Sequence, residues 1–345
     1  MTVALPARPG RALDAVVERL VDRFGPRALR DEPLGPRCTY RVGGTARLLV
    51  VVENRDELDL LAEILAEEPV DVLCVGRGSN LLVSERGFDG VAVVLGEGLA
   101  EITVADSPAT PADPEVPADP RRLVCAGGAT VLPVLARRTV AAGLRGFEWA
   151  VGVPGSVGGA VAMNAGGHGS DMASSLVRVE VVDLHVAGSR RWWTIEELQL
   201  RYRGSALGPS QVVVQAELAL VPGDRDAAEA LLAEIVAWRR TNQPGGQNAG
   251  SVFTNPPGDS AGRIIDAAGA KGLRVGTAEV SPKHANFIQA DAGGRAEDVY
   301  ALMGEVRRRV LAAGGPLLVP ETRMIGFTDP LPPSEAAAGP AEGPA

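Results

Sequence analysis

Three side chains with catalytic potential stand far apart in this chain. Arg203 lies in Tyr202-Arg203-Gly204-Ser205, Ser251 in Gly250-Ser251-Val252-Phe253-Thr254-Asn255-Pro256, and Glu321 in Pro320-Glu321-Thr322-Arg323. A guanidinium can grip a carboxylate through two parallel hydrogen bonds. Ser251 has no adjacent histidine and no G-x-S-x-G elbow, so a nucleophilic role is unsupported. Its hydroxyl can instead donate a proton to a carbanion-like centre forming beside it. Each motif alone has a plainer reading: a surface arginine, a serine in a turn, a salt-bridged carboxylate.

Two glycine motifs suggest a bound ligand. Gly76-Arg77-Gly78-Ser79-Asn80-Leu81 leaves one apolar strand and enters another, a tight turn able to aim backbone N–H groups at a pyrophosphate. It lacks the closing Gly-Lys-Ser/Thr of a P-loop, and the third glycine and helix of a dinucleotide fingerprint. A plain strand connection is the alternative. The second runs from Gly152 to Gly169 and contains Pro154-Gly155-Ser156-Val157-Gly158-Gly159, then Asn164-Ala165-Gly166. It carries no Asp, Glu, Lys or Arg, and its glycines and Pro154 argue against a helix or a membrane span. Missing side chains would let backbone approach a large flat ligand; a glycine-rich loop under an interface is the competing view.

The elements that must position these groups read as a mixed α+β chain of 345 residues, enough for two or three cores. An amphipathic helix is expected over residues 11–24. Strands over 46–52, 72–75 and 91–95 follow, with a helix begun by Asn54 between the first two. A second block has strands at 102–104, 123–126, 176–184 and 212–220 and a helix over 131–142. Residues 106–121 read as a Pro- and Ala-rich loop inserted in a hairpin. The third block has helices over 225–241, 261–268 and 296–313, strands near 273–280, 285–290 and 317–319, and a tail from Pro330 expected to lack structure.

Composition narrows the function. A net charge of -9 argues against broad binding to nucleic acid or an anionic membrane. Cys38, Cys74 and Cys125 are isolated in apolar surroundings and read as buried free thiols, and no His or Cys spacing suits a metal. The N-terminus does not resemble a signal peptide, so a cytoplasmic protein acting on small molecules is expected, as a monomer.

Taken in order, G-R-G-S-N-L-L-V, G-x-P-G-S-V-G-G-A-V-x-M-N-A-G, Y-R-x-S, G-S-V-F-x-N-P, K-H-A-N-F-I and P-E-x-R resemble the UDP-N-acetylenolpyruvoylglucosamine reductase (UDP-N-acetylmuramate dehydrogenase) family across residues 38–327. The resemblance implies a flavin fold of the vanillyl-alcohol-oxidase type in two subdomains (37–98, completed by 318–328, and 99–222). An N-terminal helical extension (1–36), a substrate domain (223–317) and a disordered tail (329–345) complete the expected division.

The resemblance also implies non-covalent FAD, NADPH as hydride donor and an enolpyruvyl UDP-sugar as substrate. Gly76, Arg77, Gly78, Ser79, Asn80 and Leu81 would hold the cofactor with Pro154, Gly155, Ser156, Gly158, Gly159, Asn164 and Gly166. Arg203, Ser251 and Glu321 would be catalytic, and Tyr202, Asn255, His284 and His168 would meet the substrate. His168 stands where members often have Tyr, and the Tyr-bearing loop and a diphosphate-binding lysine of some members are missing, leaving Arg240, Arg263 and Lys283 as substitutes. Two other functions compete: an FAD oxidase of another small alcohol or hydroxy acid, and a non-catalytic UDP-sugar binder.

Overall fold

The computed structural model describes residues 10–105 and 120–333. Its first lobe begins with helix α1 (Gly10–Phe24) and strands β1 (Ala28–Pro33) and β2 (Thr45–Val52). Helix α2 (Arg55–Glu67) then leads to β3 (Val72–Cys74), β4 (Leu81–Val83) and β5 (Phe88–Leu95). Asn54 caps α2 by accepting from the Glu57 N–H at 3.0 Å. Leu58, Leu61 and Leu65, at helical spacing, are buried against Val16, Val17 and Leu20 of α1 and against the sheet. The sheet order is β1-β2-β5-β3: β2, β5 and β3 run parallel, and β1 is antiparallel at the edge. β1 lies in a stretch expected to be a helical extension; its residues instead continue the sheet of this lobe.

The second lobe is an antiparallel sheet. β6 (Ile102–Val104) and β7 (Arg122–Gly127) form a hairpin; the loop reading for 106–121 falls largely on 106–119, outside the described residues. After α3 (Leu132–Ala141), β8 (Leu144–Arg145), α4 (Val157–Ala162) and the short pair β9 (Gly166–Gly167) and β10 (Ser170–Asp171) come β11 (Leu176–Asp183), β12 (Arg191–Thr194), α5 (Ile195–Leu198) and β13 (Gln211–Pro222). The main order is β12-β11-β13-β7-β6, with β8 on β13. α4 corrects the expectation that the glycine run holds no helix. Its Val157, Ala160 and Val161 are buried in the core, and that apolar face outweighs poor propensity over six residues. Charged groups join the two lobes: Glu180 on β11 pairs with Arg55 and Arg190, both at 2.9 Å, and Arg190 also binds Asp59 at 2.9 Å.

The third block contains α6 (Arg225–Asn242), α7 (Ala261–Ala267), β14 (Arg274–Val275), β15 (Ala278–Val280), β16 (Ile288–Ala290), α8 (Ala296–Ala312) and β17 (Arg323–Ile325). β14-β15-β16 form an antiparallel sheet against α8. Two boundaries differ from expectation. α6 buries Ala228, Leu232 and Ile235 in the core of the second lobe, so by packing it belongs there. The expected strand over 317–319 does not form; the backbone makes only the isolated Phe253–Pro320 bridge before β17 pairs in parallel with β4.

The start of the expected tail is held to α8. Leu331 is buried, Tyr300 donates to the Asp329 carbonyl at 2.6 Å, and Arg307 donates to the Leu331 carbonyl. Of the three free cysteines only Cys38 is fully buried; Cys74 and Cys125 are half-buried. Burial pushes the Cys38 thiol up to about 11 and Cys74 to about 12, so neither is a ready nucleophile at neutral pH.

Candidate active site

The turn between β3 and β4 is shaped by its glycines. Gly78 has φ +60°, and a Cβ there would lie 2.1 Å from the Arg37 carbonyl oxygen. A Cβ on Gly76 would lie 2.5 Å from Ser156 Oγ, which shows the two glycine motifs packed on one another. Among the described residues, the N–H groups of residues 76–80 find no acceptor, and all five residues line one large cavity. Successive free donors on a concave wall suit an anion such as a diphosphate.

The glycine run divides by cause. A Cβ on Gly152 would lie 2.5 Å from Arg239 Cδ, and one on Gly166 would lie 2.6 Å from the Ser170 carbonyl oxygen, so neighbouring protein atoms demand glycine at both. Gly155, Gly159 and Gly167 have no protein atom closer than 3.5 Å to such a Cβ, so protein packing does not demand glycine there. Pro154, Gly155, Ser156, Gly158, Gly159 and Gly166 all line the cavity. Asn164 does not. It is buried at φ +39°, its amide donating to Asp171 Oδ2 and to the Arg201 carbonyl at 3.2 Å each and accepting from the Ala173 N–H at 3.0 Å. Its amide is held by protein partners, and these bonds shape the turn behind the wall.

Arg203 sits at the tip of a tight turn closed by reciprocal backbone bonds between Arg201 and Gly204 at 3.0 and 3.1 Å. Its φ of +56° is strained for a residue with a Cβ, as befits a side chain aimed by its backbone. Arg203 Nε lies 2.9 Å from Glu321 Oε1, yet its N–H is not directed along that contact, so the two form an ion pair without a good hydrogen bond. Burial raises the Glu321 carboxyl above the ordinary range, and Arg203 partly opposes this. The Glu321 N–H donates to the Val252 carbonyl at 2.8 Å, joining the glutamate's segment to the one that carries Ser251.

Ser251, Arg203 and Glu321 therefore border the same cavity as the glycine turn, a volume of about 2160 Å³. Eight arginines and four carboxylates line it, a positive interior in an acidic chain. Tyr202 and His168 also line it; Tyr202 lies beneath the Arg203 guanidinium at 5.0 Å, and His168 meets Trp238 edge-on at 5.0 Å. Burial and then the nearby Arg239 hold the His168 imidazole below its ordinary value.

Asn255 and His284 are placed elsewhere. With Arg263, Lys271 and Lys283 they line a smaller cavity of about 330 Å³, which shares Ser251 with the large one. Arg240 borders neither cavity. Its neighbour Arg239 lines the large one, as do Trp238, Phe287 and Arg323; Phe287 and Arg323 fall in motifs noted above, but none of the four was given a role from sequence. For Arg239 the bare Gly152 against it is the one available signal, and it is legible only once the two are in contact. Among the described residues no group of three or more His, Cys, Asp or Glu side chains could hold a metal, and no helix is long and apolar enough to cross a membrane.

A dinucleotide-sized, arginine-lined cleft with a row of free N–H donors fits FAD, and residues 46–185 match the family described as FAD binding domain. The chain is thus a flavin-dependent oxidoreductase of α+β fold. Residues 241–325 match the family described as UDP-N-acetylenolpyruvoylglucosamine reductase, C-terminal domain. The UDP-N-acetylenolpyruvoylglucosamine reductase of Heliobacterium modesticaldum is 42% identical over 301 residues, covering 86% of this chain and 90% of its own. A second relative of that name from Symbiobacterium thermophilum is 39% identical over 93% of this chain and all of its own length. The crystal structure of UDP-N-acetylenolpyruvylglucosamine reductase from Thermus caldophilus superposes with a TM-score of 0.69 at 34% identity, over 86% of this chain and 98% of that one. This chain belongs to the UDP-N-acetylenolpyruvoylglucosamine reductase family.

Proposed function

We infer that the protein reduces the enolpyruvyl double bond of UDP-N-acetylglucosamine enolpyruvate to give UDP-N-acetylmuramate, with NADPH as reductant and FAD as carrier, in peptidoglycan precursor synthesis. One observation carries the reading: a guanidinium and carboxyl in contact, and a serine hydroxyl, border the same cleft as the glycine turn. FAD, when bound, would supply the hydride chemistry that links NADPH to the enol-ether double bond.

The chain's own groups then act on the substrate. Arg203 grips the carboxylate, where negative charge accumulates as the adjacent carbon becomes carbanion-like. Glu321, in contact with that guanidinium, helps to hold the carboxylate and its enolate-like state. Ser251 donates the proton to the carbon beside the carboxylate. The free N–H groups of residues 76–80 hold the cofactor diphosphate, and the open glycines 155, 159 and 167 lie along the rest of the cofactor. Asn255 and His284, with Arg263 and Lys283, take the sugar diphosphate in the smaller cavity beside Ser251. Tyr202 and His168 border the substrate nucleotide. A cytoplasmic monomer with non-covalent FAD suits this reading.

The test is direct. Purified protein should be yellow, release its flavin in acid, be bleached by NADPH without air, and regain colour on adding the enolpyruvyl UDP-sugar. Colour retained in the acid precipitate, with recovery on exposure to air and none on adding the sugar, would favour the oxidase reading.

A further inference from the structure

We propose that Asn80 is a positioning residue for Glu321, holding the peptide of the active-site carboxyl in register with the glycine turn through its side-chain amide. The inference rests on the catalytic role given to Glu321 above. Asn80 Nδ2 donates to the Glu321 carbonyl at 3.1 Å, and the Asn80 carbonyl accepts from the Arg323 N–H at 3.0 Å. From the other side the Glu321 N–H donates to the Val252 carbonyl at 2.8 Å. The peptide carrying the carboxyl is therefore clamped between the residue after Ser251 and the last residue of the turn before β4.

This alters the role expected of Asn80. Its amide N–H faces Glu321, which leaves its backbone N–H, unpartnered like its neighbours', for an anion. An amide fits the position because it can donate to a carbonyl while remaining uncharged, whereas a carboxylate of the same shape would repel that carbonyl. The strand after the clamp, β17, lies parallel to β4, so a shift of the turn is transmitted to Glu321 through backbone on both sides. Relative placement within ångströms decides such chemistry, and a misplacement of about 1 Å can lower a rate by about 100-fold.

A control separates this contact from general attachment of the two regions. The Glu85 carboxylate, in the turn after β4, accepts from the Ala296 and Glu297 N–H groups at the start of α8, joining the first lobe to the third block away from Glu321.

The experiment compares Asn80→Asp, Asn80→Ala and Glu85→Ala with the unaltered chain. It measures FAD affinity of the apoprotein by fluorescence titration, the NADPH half-reaction, and the sugar half-reaction at varied sugar. Both Asn80 variants should lose roughly 10- to 100-fold in the saturating rate of the sugar half-reaction. Their half-saturating sugar concentration and FAD affinity should stay near the unaltered values. Glu85→Ala should lower Tm and keep the sugar step. An unchanged sugar step in either soluble Asn80 variant would overturn the proposal, as would a loss that tracks FAD release or one that Glu85→Ala reproduces. Should both Asn80 variants fail to fold while Glu85→Ala folds, Asn80 is a stability residue and the proposal is also overturned. Failure of the unaltered chain to reduce the sugar would instead reject the assigned reaction.

Discussion

The two walls of the cleft are built on opposite principles. The wall from residues 76–80 presents backbone: its donors are N–H groups, and its shape depends on side chains being absent. The other wall presents side chains, Arg203, Ser251 and Glu321, drawn from three distant stretches; the Arg201–Gly204 turn fixes the backbone of Arg203, and a bond to the Val252 carbonyl fixes that of Glu321. A wall of backbone fails when atoms are added, and a wall of side chains fails when they are removed. The first failure affects folding and cofactor retention, the second affects a single chemical step.

That contrast can be tested by adding and removing atoms, beginning where the effect is greatest. Gly78→Ala adds one carbon at φ +60°, 2.1 Å from a carbonyl oxygen. It should cost on the order of 3 kcal/mol or more and yield protein that unfolds early and retains little flavin, as read by denaturant titration. Normal stability would show that the turn can relax, weakening the claim for a rigid wall.

Arg203→Lys removes the fork and keeps the charge. The sugar half-reaction should fall by roughly 100-fold with the NADPH half nearly intact, because an ammonium cannot reproduce a bidentate grip. Equal loss in both halves would detach Arg203 from the substrate carboxylate.

Arg203→Met tests the electrostatics of the same wall. Burial raises the Glu321 pKa and Arg203 lowers it, so removing the cation raises it further. Glu321 then takes up its proton at a higher pH, and the limb of the sugar half-reaction profile that reports its titration should move to higher pH. A stationary limb would mean that another group titrates there.

Gly159→Ala should have the smallest effect on the fold, since the nearest protein atom to the new Cβ is 3.7 Å away and the site is helical. Stability should hold or rise by about 0.5–1 kcal/mol. FAD affinity should still fall by about tenfold, near 1.4 kcal/mol. Undiminished affinity would remove Gly159 from the cofactor wall.

Much of the backbone wall was legible in the chain, because glycine spacing after an apolar strand signals a turn whatever it binds. The periodic helices were legible too: Leu58, Leu61 and Leu65 behind Asn54 specify α2 with no reference to the remainder of the fold. Other features depend on tertiary contacts. β1 is polar and short and becomes a strand by pairing with β2, and α4 is a helix because its valines and Ala160 find a core. Gly152 reads as a ligand contact until its neighbour Arg239 is in view, and Gly166, which does line the cavity, is required to be glycine by Ser170 as well. Asn164 also reads as a ligand contact, although its amide is held by protein partners. Arg203 and Glu321 stand out through family resemblance, while their mutual ion pair spans 118 positions of sequence and is visible only in the fold.

Ser251→Ala provides the most direct measurement, with the variant reduced by NADPH under anaerobic rapid mixing and then challenged with the enolpyruvyl UDP-sugar. Reduction should proceed as in the unaltered chain, and return of the flavin colour should slow by roughly 100- to 10,000-fold, the span expected for loss of a positioned proton donor. Colour returning at the unaltered rate, with reduced sugar formed, would contradict the account by showing that the hydroxyl at the junction of the two cavities does not donate the proton.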